Sequence, residues 1–139
     1  MIHFLPDSIG NLRNLKELDL SDNRGINNIS ATASQLQGLE KVNLSRTGLP
    51  KLPNIVSTWK NLKELSFRDL ILSDTNLEMK DLDFLERVDI RELGIERLPE
   101  SIASFTKITH FNAKNNNLVD SGIPMSISKW SFCIHLNLE

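Results

Sequence analysis

The sequence is poor in the residues that mark several common protein classes. It contains one cysteine, Cys133, and no tyrosine. A single cysteine excludes an internal disulfide and favours a reducing compartment. The 16 basic and 18 acidic side chains leave a formal net charge of -2, which argues against a nucleic-acid binder that relies on bulk positive charge.

Long apolar runs are also missing. No stretch approaches the roughly 18 consecutive apolar residues of a transmembrane helix, and residues 1–7 lack the basic and apolar regions of a signal peptide. We therefore expect no membrane association and no leader. The apolar fraction is nevertheless an ordinary 40%, which is enough for one continuous core.

Those apolar residues recur with a fixed period. A block of the form L-x-x-L-x-L returns every 23 to 25 residues, starting at Leu15, Leu39, Leu62, Leu85, Ile108 and Cys133. A second block, L-P-x-x-I, follows in phase at Leu5, Leu52, Leu98 and, shifted by two residues, Ile123. A third column closes the units with Leu12, Leu36, Trp59, Leu82, Phe105 and Trp130. Three columns with one period indicate a repeat protein.

These blocks resemble the leucine-rich repeat family, in its intracellular form with units of about 23 residues. The stretch from Leu5 to Asn23 is close to the family pattern, and the resemblance covers essentially the whole chain. It implies an α/β repeat solenoid, a right-handed arc with a parallel β-sheet on the concave face and short helical, 3-10 or irregular segments on the convex face. Similar repeats occur in plant immune receptors, Ras-pathway scaffolds and bacterial effectors.

We predict a single leucine-rich repeat domain over residues 1–139. Its complete repeats span 15–38, 39–61, 62–84, 85–107 and 108–132, and partial repeats occupy 1–14 and 133–139. Neither end shows the polar cap that terminal repeats normally need. The chain is therefore interpreted as part of a longer protein, with end-to-end self-association through the uncapped termini as the alternative.

The column just after the strand departs from the family pattern. The family places asparagine there to bond backbone groups of adjacent turns, and Asn23 and Asn116 keep it. Thr47 is expected to substitute in part. Leucine has no group that can bond the backbone, so we predict locally irregular turns near Leu70 and Leu93.

The third unit departs in its outer segment. It carries Thr75-Asn76 where other units have Leu-Pro, and we predict Met79 and Leu82 as its apolar anchors. We interpret this unit as a degenerate but folded repeat. A hinge or a specialised contact site is the alternative.

The outward-facing strand residues would line the concave surface, which is the extended binding face of solenoids. The candidate partner-binding residues are Glu17, Asp19, Lys41, Glu64, Arg68, Arg87, Asp89, Arg91, His110, Asn112, Lys114 and His135. The first outward column alternates in sign from Glu17 to Arg87, so neighbouring strands can form ion pairs. The third column sets three cations side by side as a basic stripe, which Asp69, Glu92 and Asp89 are near enough in sequence to offset.

This distribution predicts a docking surface that is acidic in its N-terminal repeats and more basic in its C-terminal repeats. The predicted partner is a protein with an acidic patch. The alternative is a solvated sheet that neutralises its own charges. Both tryptophans fall in the predicted core column, so the usual aromatic hot spots are missing from this face. The interaction is therefore expected to be modest and electrostatically steered.

No pattern points to catalysis, a metal or a cofactor. His110 and His135 share a column, but no cysteine or carboxylate completes a first shell, and a pH-sensitive patch is the alternative role. Cys133 stands at a first-leucine position, so we predict a buried small hydrophobe rather than a nucleophile.

The leading hypothesis is a protein-interaction module of a larger intracellular receptor or effector, with innate immunity as a candidate setting. We expect no enzyme activity and a cytoplasmic location, or the host cytosol if the parent protein is a secreted effector. The alternatives are a structural spacer or autoinhibitory segment, and a substrate-selecting domain of an enzyme whose catalytic domain is absent.

Overall fold

The backbone climbs as a coil in which each turn contributes one short strand and one outer segment. The structure is a computed structural model that describes residues 1–139. Six three-residue strands form one sheet in sequence order: β1 Glu17–Asp19, β2 Lys41–Asn43, β3 Glu64–Ser66, β4 Arg87–Asp89, β5 His110–Asn112 and β6 His135–Asn137. All five strand pairs are parallel. The predicted α/β solenoid with a parallel sheet is confirmed.

Each strand pairs in the register that the repeat predicts. The paired central residues are Leu18, Val42, Leu65, Val88, Phe111 and Leu136. Because successive side chains of a strand point to opposite faces, these residues point into the core and their neighbours point outward. The ladder extends past the strands, as where the Leu44 N–H donates to the Ser66 carbonyl at 2.8 Å.

The convex side is built from short 3-10 helices. They are η1 Asp7–Asn11, η2 Ala31–Gln35, η3 Asn54–Thr58, η4 Glu100–Ser104, η5 Asp120–Gly122 and η6 Met125–Lys129. The residue before η1, η3, η4 and η6 is proline, which suits a position with extended backbone and no required donor. None of these helices has the length or apolar character needed to cross a membrane.

One apolar core of 32 buried residues runs along the coil. Both tryptophans belong to it, as predicted. Each also ties its turn to the preceding one: the Trp59 indole N–H donates to the Ala33 carbonyl at 2.8 Å, and the Trp130 indole N–H donates to the Ile102 carbonyl at 3.0 Å. These bonds satisfy the only polar atom of each buried ring.

The two end units are less buried than the predicted core columns imply. Leu12 is 50% exposed and Leu136 is 44% exposed. Cys133 is only half-buried, so the prediction of a buried small hydrophobe there is wrong. In a solenoid each turn is covered by its neighbours on both sides, and these three side chains have a neighbouring turn on one side only.

The turn after β1 to β5 has a left-handed residue at the same position in every unit, so the predicted irregularity at Leu70 and Leu93 is wrong. The residue before the asparagine column has a positive φ of 50–63° in five units, at Asp22, Arg46, Asp69, Glu92 and Asn115. The N–H of each of these residues donates to a carbonyl of the following turn. Leu70 and Leu93 are themselves buried in the core. The coil therefore fixes this turn whatever side chain follows it.

Polar side chains still serve the backbone of these turns. The Asn116 Oδ1 accepts the N–H groups of Leu93 and Ile95 at 3.0 and 3.3 Å, so the amide that Leu93 lacks comes from the next unit. The Thr47 hydroxyl donates to the Leu44 carbonyl at 2.8 Å. The predicted partial substitution by threonine is confirmed.

The third unit is folded, as predicted, and its anchors Met79 and Leu82 are 1% and 2% exposed. It is also the complete unit that has no 3-10 helix on the convex side. Asn76 stands where η3 and η4 have proline, and Asp81 has a φ of 58° just before Leu82. A left-handed residue at that place is incompatible with a helical turn.

Candidate functional site

The sheet brings the twelve candidate residues together on its outward side. Glu17, Lys41, Glu64, Arg87, His110 and His135 pair in one row across the sheet, and Asp19, Asn43, Ser66, Asp89, Asn112 and Asn137 pair in the second. Arg68, Arg91 and Lys114 follow two residues after their strands. We call the outward side of the sheet with these residues the concave face.

The first row is held by ion pairs between neighbouring strands. The Lys41 Nζ lies 3.2 Å from the Glu17 Oε1, and the Arg87 Nε lies 3.8 Å from the Glu64 Oε1. The predicted pairing of alternating charges is confirmed. All four side chains are about half exposed, so each pair contributes only about 0.2–1 kcal/mol. These ion pairs therefore contribute little to stability.

The second row has a structural role that the sequence analysis missed. In five of the six units its side-chain oxygen accepts the N–H of the residue two positions later, at 2.9–3.3 Å; these acceptors are Asp19, Asn43, Asp89, Asn112 and Asn137. Such Asx turns close the chain after a strand. The recurrent Asp or Asn at this position was the available signal. Hydrogen bonds from the Ser21 hydroxyl and N–H lower the pKa of Asp19, against a smaller opposing effect of burial.

The basic stripe is compensated by carboxylates. Arg91 donates to both carboxylate oxygens of Asp89 at 2.9 and 2.7 Å, and the Arg68 Nε lies 4.0 Å from the same carboxylate. The hydrogen bonds that Arg91 donates to Asp89 raise the pKa of Arg91. The Lys114 Nζ lies 3.1 Å from the Glu139 Oε2. The expectation that Asp89 offsets the stripe is confirmed.

The other two expected compensating residues make no ion pair with the stripe, although the charge of Glu92 helps to raise the pKa of Arg91. The Asp69 carboxylate pairs with Arg24 at 3.1 Å, two turns earlier in the coil. Glu92 makes no ion pair. Asp69 and Glu92 both have a left-handed backbone conformation and stand just before the asparagine column. Arg68 and Arg91, the stripe residues next to them in sequence, do not have this conformation.

Ion pairs that the sequence analysis missed border the concave face on both sides. Before the strands, the Glu40 carboxylate binds Lys16 at 2.8 Å and Lys63 at 3.4 Å. After them, Arg46 donates to both carboxylate oxygens of Asp22. The hydrogen bonds from Lys16 and from Arg46 lower the pKa of Glu40 and of Asp22, respectively. Opposite charges in one column of adjacent units were the signal.

An imbalance remains toward the C-terminal half of the concave face. On β3 to β6 and at the second residue after each of these strands there are four cations and three carboxylates. The cations are Arg68, Arg87, Arg91 and Lys114, the carboxylates are Glu64, Asp89 and Glu139, and Asp69 and Glu92 stand one residue further along the chain. The rings of His110 and His135 stack there, with centroids 5.9 Å apart and planes at 27°. Desolvation lowers the pKa of His110, and the charges of Arg87 and His135 lower it further.

Metal chemistry finds no support in this arrangement. No group of three or more histidine, cysteine, aspartate or glutamate side chains is placed to hold a metal ion. The half-buried Cys133 packs against the core, and its Sγ lies 3.4 Å from the His135 carbonyl oxygen. The stacked imidazoles lie beside Arg87, which pairs with His110 across the sheet.

Comparison with known proteins identifies the architecture. No family model matches the chain. A "Putative disease resistance protein" of Arabidopsis thaliana is 40% identical over 68 residues, which is 49% of this chain and 6% of that protein. The chain therefore spans a small part of the curated relative it matches.

Several solved structures share the fold. Internalin C2 from Listeria monocytogenes matches 96% of this chain and 56% of its own, with a TM-score of 0.74 at 18% identity. A chain of the Drosophila Toll–Spatzle complex matches 93% of this chain and 17% of its own, with a TM-score of 0.71 at 21% identity. A leucine-rich repeat protein of Leptospira interrogans matches 99% of this chain and 52% of its own, with a TM-score of 0.57 at 22% identity. The chain has the leucine-rich repeat fold.

Proposed function

We propose that this chain is a protein-interaction module that binds a partner through the concave face. The observation that carries the proposal is the pair of stacked imidazoles of His110 and His135 beside Arg87, whose ion pair with Glu64 is long at 3.8 Å. Solenoids use such extended curved surfaces for binding. The structural likeness to a chain of the Toll–Spatzle complex, which is an assembly of two proteins, is consistent with it.

The partner is proposed to be a protein with an acidic patch that covers β4 to β6. The charge excess on this half is small, and no tryptophan or tyrosine is available on the concave face to act as an anchor. Charged groups of this kind steer association and set orientation more than they supply affinity. The interaction is therefore of modest affinity and sensitive to salt.

The biological setting is part of the same proposal. The chain would act within a larger intracellular receptor or effector, in the cytoplasm or the cytosol of a host, without catalysis and without a cofactor. The local identity to the Arabidopsis thaliana protein supports a role in immunity.

Introducing negative charge beside the stacked imidazoles tests the proposed face. The double variant Arg87→Glu, His110→Glu should weaken binding to an affinity-captured and purified partner by about tenfold or more, since like charges across an interface cost several kcal/mol. The measurement is the Kd from isothermal titration calorimetry. Lys129→Glu, at the end of η6 on the convex side, is the matched control and should leave the Kd unchanged.

The outcome is informative only if folding is intact. Arg87 is about half exposed, and surface substitutions usually change stability by less than about 0.5 kcal/mol. Thermal melting of both variants should therefore stay close to that of the parent chain. Equal Kd values for the double variant and the parent would place the partner on another surface.

Acidification should strengthen binding to an acidic partner. In the free chain the pKa of His110 lies below its ordinary 6.5 because of desolvation and the neighbouring charges of Arg87 and His135, opposed weakly by Glu64. A carboxylate of the partner would favour the charged imidazole and raise its pKa in the complex. Binding then takes up a proton, so affinity rises as pH falls through the interval between the two pKa values.

The free chain should respond in the opposite direction. The pKa of His110 is lower in the native state than in the unfolded state. The native state therefore becomes less stable as pH falls below about 6.5. We expect the Kd to decrease between about pH 7.5 and pH 5.5 while the melting temperature declines slightly. The double variant His110→Gln, His135→Gln should remove the pH dependence of the Kd. A Kd that is flat with pH in the parent chain would contradict this role for the histidines.

A further inference from the structure

The convex side of the third unit differs from those of the other complete units in its backbone hydrogen bonds. In units with a five-residue 3-10 helix, two core N–H groups donate to carbonyls three residues earlier, as Val56 does to Pro53 and Trp59 does to Val56. The corresponding residues of the third unit, Met79 and Leu82, make no such bonds.

The unbonded main chain is long. None of the seven backbone N–H groups from Glu78 to Phe84 donates to any acceptor within the protein, and of the carbonyls in this stretch only that of Leu82 accepts a backbone N–H. Backbone donors and acceptors are strong groups that are usually paired in native structures. This stretch therefore presents main-chain hydrogen-bonding capacity that the fold does not use.

The first part of this stretch also has the pattern of an edge strand. Leu77 and Met79 are buried, whereas Glu78 and Lys80 are exposed. Alternation of this kind is typical of a strand that lies on a core. The row of helices is interrupted here as well, because η3 and η4 make no contact with each other.

Room exists beside the segment. Two depressions of about 290 and 240 Å³ lie between it and the outer segment of the second unit. Both reach Leu52 and Asn54 on one side and Glu78 on the other. Leu72 lines the second depression, and its neighbour Ile71 is 83% exposed, so apolar contact area is available at the same place.

The charge of the segment favours a basic occupant. Residues 74–83 contain four carboxylates, Asp74, Glu78, Asp81 and Asp83, against the single cation Lys80. The Lys80 Nζ is 4.0 Å from Glu78, with both side chains about 70% exposed, and the three aspartates make no ion pair. A lysine or arginine placed alongside would gain an unpaired carboxylate.

We propose that Leu77–Lys80 is a docking edge for an extended, basic segment of another polypeptide. The incoming segment would add to the free main chain by strand addition, in which backbone hydrogen bonds supply affinity and alternate side chains supply specificity. Its apolar side chains would occupy the two depressions, and its basic side chains would face Glu78 and the neighbouring aspartates. This surface is on the convex side and is independent of the proposed concave face.

The test uses a synthetic ten-residue peptide that alternates lysine with valine, acetylated and amidated at its ends. Hydrogen exchange of the full chain should slow at the amides of residues 78–84 when this peptide is added. Binding, measured by fluorescence anisotropy of a labelled peptide, should weaken at least about fivefold on Glu78→Lys. The matched control Glu96→Lys, an exposed glutamate of the fourth unit, should leave binding unchanged.

Two peptide controls separate the components of the interaction. The same peptide with every backbone nitrogen methylated lacks main-chain donors and should not protect residues 78–84, and a glutamate–valine peptide should not bind. The Arg87→Glu variant should retain the protection, which keeps this result independent of the concave face.

Several outcomes would overturn the proposal. Equal binding by the N-methylated or the acidic peptide would remove its chemical basis, and protection confined to the β-strands would remove its location. Protection of residues 78–84 that grows with the concentration of the chain alone would identify a second copy as the occupant instead.

Discussion

Leu65→Asp is expected to abolish the cooperative unfolding transition of the whole chain. Leu65 is 2% exposed and lies at the centre of β3, paired with Val42 on one side and Val88 on the other. A buried carboxylate without a partner costs several kcal/mol, which is a large share of the roughly 5–15 kcal/mol that stabilises a typical domain. The substitution also lies in the middle of the solenoid, so the repeats on both sides of β3 lose a neighbour to pack against.

The matched control is Asn43→Asp. It introduces the same carboxylate on the adjacent strand at an outward position, where Asp19 and Asp89 already close the equivalent turns of their units. We expect this variant to remain within about 1 kcal/mol of the parent chain. The measurement is thermal melting followed by far-UV circular dichroism. A cooperative melt of the Leu65→Asp variant at the parent temperature would show that the inward register is wrong.

Trp59→Ala is expected to lower the free energy of unfolding by about 3–5 kcal/mol. The side chain is fully buried, and its removal leaves a cavity between the second and first units. The substitution also removes the hydrogen bond from the indole N–H to the Ala33 carbonyl at 2.8 Å, and that carbonyl keeps only the bond from the Leu36 N–H. The net loss of one hydrogen bond costs about 0.5–1.5 kcal/mol, and this cost is included in the range given.

Trp59→Phe separates the two contributions. It retains most of the packing and removes the hydrogen bond, so we expect a loss of about 1–2 kcal/mol. Urea unfolding followed by circular dichroism gives the free energy of unfolding of both variants by the same linear extrapolation. A phenylalanine variant as unstable as the alanine variant would assign the effect to the hydrogen bond, and losses below about 1 kcal/mol in both would contradict the burial of Trp59.

The inward register was predictable because the signal is repeated once per turn. A single strand of three residues carries little information, but six of them with the same spacing leave one register that buries Leu18, Val42 and their equivalents. The turn at Leu93 was not predictable in this way. The side chain that bonds its backbone is Asn116, in the following unit, whereas the prediction considered only the residue in the column itself.

The charge pattern of the concave face was predictable in its first row and less so elsewhere. Pairs such as Lys41 with Glu17 follow directly from adjacency across the sheet. The Asp69–Arg24 pair joins residues 45 positions apart, and its geometry depends on the left-handed backbone of Asp69. The sequence could not show that Asp89 both closes a turn and pairs with two arginines, because one carboxylate has several possible partners within reach.

The two buried indoles lie on opposite sides of the unit without an outer helix. Trp59 belongs to the unit before it, and Trp130 to the second unit after it. With no tyrosine in the chain, intrinsic emission comes from these two rings alone. The protein thus carries a native optical reporter in each half, and variants that keep one ring at a time allow the loosening of each half to be followed separately.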